Sequence, residues 1–166
     1  MYGSYAAIED TPTLVFERQL SHPVDRVWQA ITERDELGHW FPSKVVVDEL
    51  AAGAEMSFEF ENMPLDAPST MAGRVTEFDP PRVFAFYWGE DHLRFELDPV
   101  DGGCALRLTV ALGTLDKAAR DAAGWHVCLD RLEQHLGAEG VGGEWRGYYD
   151  EYQRRGVPAG APIPGE

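Results

Sequence analysis

The sequence predicts an α+β fold, a curved antiparallel sheet of about seven strands wrapped around one long C-terminal helix, with two short helices after the first strand. Two observations carry this. Between residues 44 and 112, apolar side chains recur at every second position in successive short segments, the period of half-buried strands. Residues 114–136 alone carry a long apolar stripe at helical spacing. A run of adjacent antiparallel strands leaves one apolar face uncovered, and that helix is the only long amphipathic element available to cover it.

The elements follow in order. In residues 13–20, Leu14, Phe16 and Leu20 share a face with Arg18, opposite Glu17 and Gln19, which reads as a half-buried strand. Ser21 can cap a helix and Pro23 suits a first turn. Val24, Val27, Trp28 and Ile31 then recur at helical spacing, and a second short helix covers 34–40. Strands are expected at 44–50, 55–61, 71–78, 82–88, 92–98 and 104–112. Asp79-Pro80-Pro81 ends one of them, and Asp101-Gly102-Gly103 is a hairpin turn. In the long helix, Ala118, Ala122, Trp125, Cys128, Leu129, Leu132 and Leu136 form the stripe, and Thr114 is the expected N-cap. Gly124 interrupts it, at about 1 kcal/mol relative to alanine, marking a kink or a close approach. A glycine-rich break at 137–143 precedes a short helix over 144–154, whose Trp145, Tyr148, Tyr149 and Tyr152 line one face.

The 166 residues suffice for one core. The expected organisation is a leader at 1–12, one domain at 13–136, the glycine-rich link with its aromatic helix at 137–154, and a mobile tail at 155–166. A formal net charge of −15 repels phosphate backbones and anionic membranes, which argues against nucleic-acid and membrane partners. No signal peptide and no apolar run of membrane-spanning length are visible, so a cytoplasmic location is expected. Cys104 and Cys128 sit among apolar residues outside any CxxC or Cys/His cluster and read as small buried hydrophobes. The five histidines are scattered over different elements, and no serine lies in a GxSxG setting. Neither a metal site, a cofactor nor a catalytic nucleophile is indicated.

The stretch LVFERQLSHPVDRVWQAITERDELGHWFP, the strand run after it and GWHVCLDRLEQHL resemble the family of activator-of-heat-shock-90-ATPase-like proteins, within the START-like, polyketide-cyclase (SRPBCC) superfamily. The similarity covers about residues 13–136, and extends loosely through WRGYYDEY. It implies the helix-grip (START-like, Bet v-type) fold and an internal cavity, and it implies no reaction.

Strand and helix periodicity place Phe58, Phe60, Phe84, Phe86, Phe95, Trp125 and Leu129 on facing surfaces, the expected lining of a ligand-binding cavity between helix and sheet. The same aromatics would otherwise be a filled core. His126, at the edge of the helical stripe with Asp130 one turn on, is a polar anchor for a ligand head group or a boundary histidine bonded to Asp130. Arg18 and Glu77 share inward faces, so they either form a charge pair in the cavity mouth or lie beyond the covered part of the sheet. Trp145, Tyr148, Tyr149 and Tyr152 pack on the domain's own surface or form a homodimer contact. The leading expectation is reversible binding of a small apolar or amphipathic molecule, and more a binding module than an enzyme. An aromatase/cyclase-type enzyme and a chaperone-interacting module that activates a heat-shock-90-type ATPase are the alternatives.

Overall fold

The computed structural model describes residues 1–163. Its strands are β1 (Ser4–Ile8), β2 (Thr11–Leu20), β3 (Lys44–Val46), β4 (Glu55–Glu59), β5 (Thr70–Asp79), β6 (Val83–Trp88), β7 (Asp91–Val100) and β8 (Gly103–Ala111). They form a single antiparallel sheet in the order β1-β2-β8-β7-β6-β5-β4-β3. Helices α1 (Val24–Thr32) and α2 (Arg34–Leu37) lie between β2 and β3, and α3 (Ala118–His135) and α4 (Trp145–Arg154) follow β8.

Register turns the alternating pattern into continuous apolar rows. Phe16 pairs with Leu108, Leu108 with Phe95, and Phe95 with Phe84. The neighbouring row runs Leu14, Val110, Leu93, Phe86, Val75. Every member of both rows is buried. Trp125, Leu129 and Leu132 of α3 are buried with them in the same core cluster. Burying each such side chain stabilises the fold by about 1.5–3 kcal/mol. Gly73 fits this packing because a Cβ there would lie 2.5 Å from the Phe58 ring and 2.4 Å from the Tyr87 carbonyl.

Several details depart from the sequence expectation. Among the described residues there are eight strands, because residues 4–8 of the expected leader form β1, joined to β2 by a two-residue turn at Glu9 and Asp10, both at positive φ. The strand expected over 44–50 keeps only three residues. α3 starts at Ala118 and runs through Gly124 as one helix. A register shift between Val75 and Glu77 turns Glu77 outward, where Arg94 Nε donates to its carboxylate at 3.1 Å. Arg18 does point inward: it is 5% exposed, and its guanidinium meets Glu133 of α3 at 2.8 Å. Burial holds the Glu133 carboxyl above its ordinary range, against the pull of Arg18.

The aromatic face of α4 is spent inside the chain. Tyr149 and Tyr152 are buried, Tyr148 stacks on His126, and Trp145 stacks on Tyr149. Trp145 and Tyr148 stay partly exposed. The segment expected to be a mobile tail is docked as far as it is described. Val157 is buried, the Ala119 amide donates to Pro158 O at 2.8 Å, and the Ala161 amide donates to Asp116 O at 3.1 Å. Residues 164–166 of that expected tail lie outside the described residues.

Candidate functional site

Five of the residues expected to line a cavity between sheet and helix are buried in the core. Phe58, Phe84, Phe86, Phe95 and Leu129 are each 0–2% exposed and touch one another or neighbouring rings. Phe58 and Phe86 centroids are 5.9 Å apart, and Phe84 and Phe86 are 4.9 Å apart. These five close the core.

An open cleft of about 800 Å³ lies beside this core. Three sources build it. From the sheet come Met71 and Trp88, with Phe60 just beyond β4; α3 supplies Asp121, Gly124, Trp125 and Cys128, positions that share a face at i, i+3, i+4 and i+7. Trp145 of α4 and Ile163 of the docked C-terminal segment close the far side. Trp88 stands edge-on to both Trp125 and Phe60, at 5.7 and 5.6 Å between centroids. A Cβ at Gly124 would meet nothing within 4 Å. The glycine therefore takes no close neighbour: it leaves a helix position empty where the cleft opens. Burial pushes the Cys128 thiol up to about 12, so its sulfur serves as apolar wall.

One end of the cleft is charged. The two-residue turn between β6 and β7 presents Glu90 and delivers Asp91, which is 2% exposed. Lys117 Nζ donates to Asp91 Oδ1 at 2.6 Å and to Glu90 Oε1 at 2.9 Å, and Asp91 Oδ1 also accepts the Gly113 amide at 2.8 Å. Burial lowers the Lys117 pKa, yet the two carboxylates outweigh it and leave the ammonium above its ordinary value. Arg120 donates to Asp121 Oδ1 at 2.8 Å and to Pro162 O at 3.2 Å. Burial raises the Asp121 carboxyl against Arg120. Among the described residues, no group of three His, Cys, Asp or Glu is placed to hold a metal ion.

Of the eight residues expected to bind a ligand, Phe60 and Trp125 border this cleft. His126 lies on a different side of α3, 2% exposed. Its ring stacks on Tyr148 at 3.8 Å, and its Nδ1 lies 2.9 Å from the Tyr152 hydroxyl, which also accepts the Gly3 amide. When that hydroxyl donates to Nδ1, the ring proton sits on Nε2, facing Asp130 at 3.8 Å. Tyr148 donates to the other oxygen of Asp130 at 2.5 Å. Burial depresses the His126 pKa to about 4 against the opposing pull of Asp130, with Arg18 and the chain's amino terminus adding to the depression. The boundary reading of His126 thus fits its geometry, and the charged groups that border the cleft are Lys117, Arg120 and their carboxylate partners. Sequence reasoning missed these, along with Met71 and Ile163. They come from points far apart in the chain, and only Gly124, between bulky neighbours in an apolar stripe, carried a local signal.

A curved, unclosed antiparallel sheet holding a C-terminal helix on its concave face is a helix-grip domain. This chain belongs to the family described as Activator of Hsp90 ATPase homolog 1-like protein, whose model matches residues 21–137. No curated protein matches it in sequence. Among solved structures it is similar to the conserved protein of unknown function EF2215 from Enterococcus faecalis, at TM-score 0.76 and 19% identity over 92% of this chain and 89% of that one. It is also similar to CalU16 from Micromonospora echinospora, at TM-score 0.68 and 18% identity over 92% of each chain. A protein encoded by BPP1335 of Bordetella parapertussis matches at TM-score 0.66 and 25% identity, over 86% of this chain and 85% of that one.

Proposed function

We propose that this protein binds a small apolar or amphipathic molecule in the cleft between the β6 end of the sheet and α3. The observation that carries this reading is the cleft's construction: about 800 Å³, apolar walls of Phe60, Trp88, Trp125 and Trp145, and charged groups confined to one end. That volume and that division into an apolar body and a few convergent polar groups are what small-molecule sites have in common. The charged groups are already paired with one another, an arrangement suited to orienting a ligand more than to moving protons.

Nile red, a neutral apolar dye, tests the reading by fluorescence titration. Binding near one dye per chain is expected. Gly124→Phe places a ring in open space without a backbone clash and is expected to abolish dye binding while the melting temperature changes little. Dye binding unaffected by Gly124→Phe would move the site elsewhere. No dye binding by the parent would favour the protein-interaction reading that the family's description suggests.

A further inference from the structure

We infer that the cleft selects amphipathic organic cations, an amine or quaternary ammonium on an apolar body, over neutral or anionic molecules of the same size; this rests on the cleft being the binding site. The ionisable residues lining it are three carboxylates, Glu90, Asp91 and Asp121, against two cations, Lys117 and Arg120. Both cations are engaged. The single Lys117 charge is shared between Asp91 and Glu90, and Arg120 is held by Asp121 and by the Pro162 carbonyl. An anionic head group would have to displace a carboxylate from one of them. A cationic head group displaces nothing: it meets the surplus negative charge beside Glu90, whose side chain is 61% exposed.

The aromatic walls point the same way. Trp88 and Trp125 pack on each other at 72° with centroids 5.7 Å apart, and both border the cleft, so a group bound there lies against aromatic surface. A ring face attracts a cation, and tryptophan does so most strongly. Quaternary ammonium groups are recognised by such aromatic enclosures, and adjacent carboxylates reinforce them. The chain's net charge of −15 adds a long-range field that concentrates cations at its surface.

Three ligands with one tail separate the possibilities: octyltrimethylammonium, octan-1-ol and octyl sulfate, each displacing Nile red from the full chain at constant ionic strength. The cation is expected to bind at least tenfold more tightly than the alcohol, and the sulfate more weakly than the alcohol. Glu90→Gln is expected to reduce the cation-to-alcohol ratio several-fold, with Asp121→Asn acting in the same direction. Glu49→Gln removes the same charge at an exposed position outside the cleft and is expected to leave the ratio unchanged. Alcohol and cation binding equally, or Glu49→Gln matching Glu90→Gln, would overturn cation selection while leaving the cleft as a binding site. Failure of all three ligands to displace the dye would overturn the binding site itself.

Discussion

The two flanks of α3 solve opposite problems. On the His126 flank, a polar ring is buried and every neighbour is arranged to satisfy it: Tyr152 on Nδ1, Asp130 toward Nε2, Tyr148 over its face and Tyr2 at its edge. On the Gly124 flank, a position has no side chain and the aromatics around it do not close the gap. A helix wrapped by a sheet, α4 and the C-terminal segment would ordinarily be buried all round. Here the difference between a flank whose buried ring is satisfied and one left bare comes down to which residues the helix offers. Polar groups demand partners and pull elements together; a missing side chain lets them stay apart.

The sharpest way to break this comparison lies between the flanks, at Leu129. It is fully buried in the packed core, so Leu129→Ala is expected to cost about 2–5 kcal/mol in urea unfolding, with Nile red stoichiometry unchanged. A cost under about 1 kcal/mol would mean that the interior beneath α3 is not closed and that the cleft extends into it.

What was legible in the sequence follows the same division. Strict alternation in β8, Cys104 through Val110, marks one face without ambiguity, since every inward residue is apolar and buried. β1 was not legible because it is an edge strand: four of its five residues are exposed, so burial imposes no alternation. Glu77 was misplaced because a bulge adds one residue and inverts the face from there onward. The cleft was least legible. Its walls join residues from β5, β6, α3, α4, the loop after β4 and the C-terminal segment, and its charged end depends on Lys117 meeting Asp91. Periodicity along one element reports which face is buried; it does not report whether the opposite side chains meet.

The His126 flank predicts a pH dependence. The native state holds His126 neutral, with its pKa lowered from 6.5 to about 4, while the unfolded chain titrates normally. Above pH 6.5 neither state binds the proton and stability is unaffected. As pH falls from 6.5 toward 4, the unfolded state protonates first, so stability declines by up to about 3 kcal/mol. Below about 4 both states are protonated and this loss is complete. Urea unfolding between pH 7.5 and 4.5 would show the decline, and His126→Gln should remove its histidine component while leaving the carboxylate titrations. A variant with the parent's slope would mean that His126 does not sense the packing around it.

The smallest expected effect is also the one with the opposite sign. Gly124 lies in the interior of α3, where glycine costs about 1 kcal/mol relative to alanine because its unfolded backbone is freer. A Cβ there meets nothing within 4 Å, so Gly124→Ala incurs no steric penalty. It is expected to raise stability by roughly 0.5–1 kcal/mol, and to weaken Nile red binding only slightly, since one methyl group removes little of the cleft. Stability and binding therefore move in opposite directions at a single position on this flank. A gain in stability without any change in dye affinity would show that the helix face at Gly124 is bare but outside the bound dye. A loss of stability would show that the glycine is kept for a close approach, and the open flank would have to be redrawn.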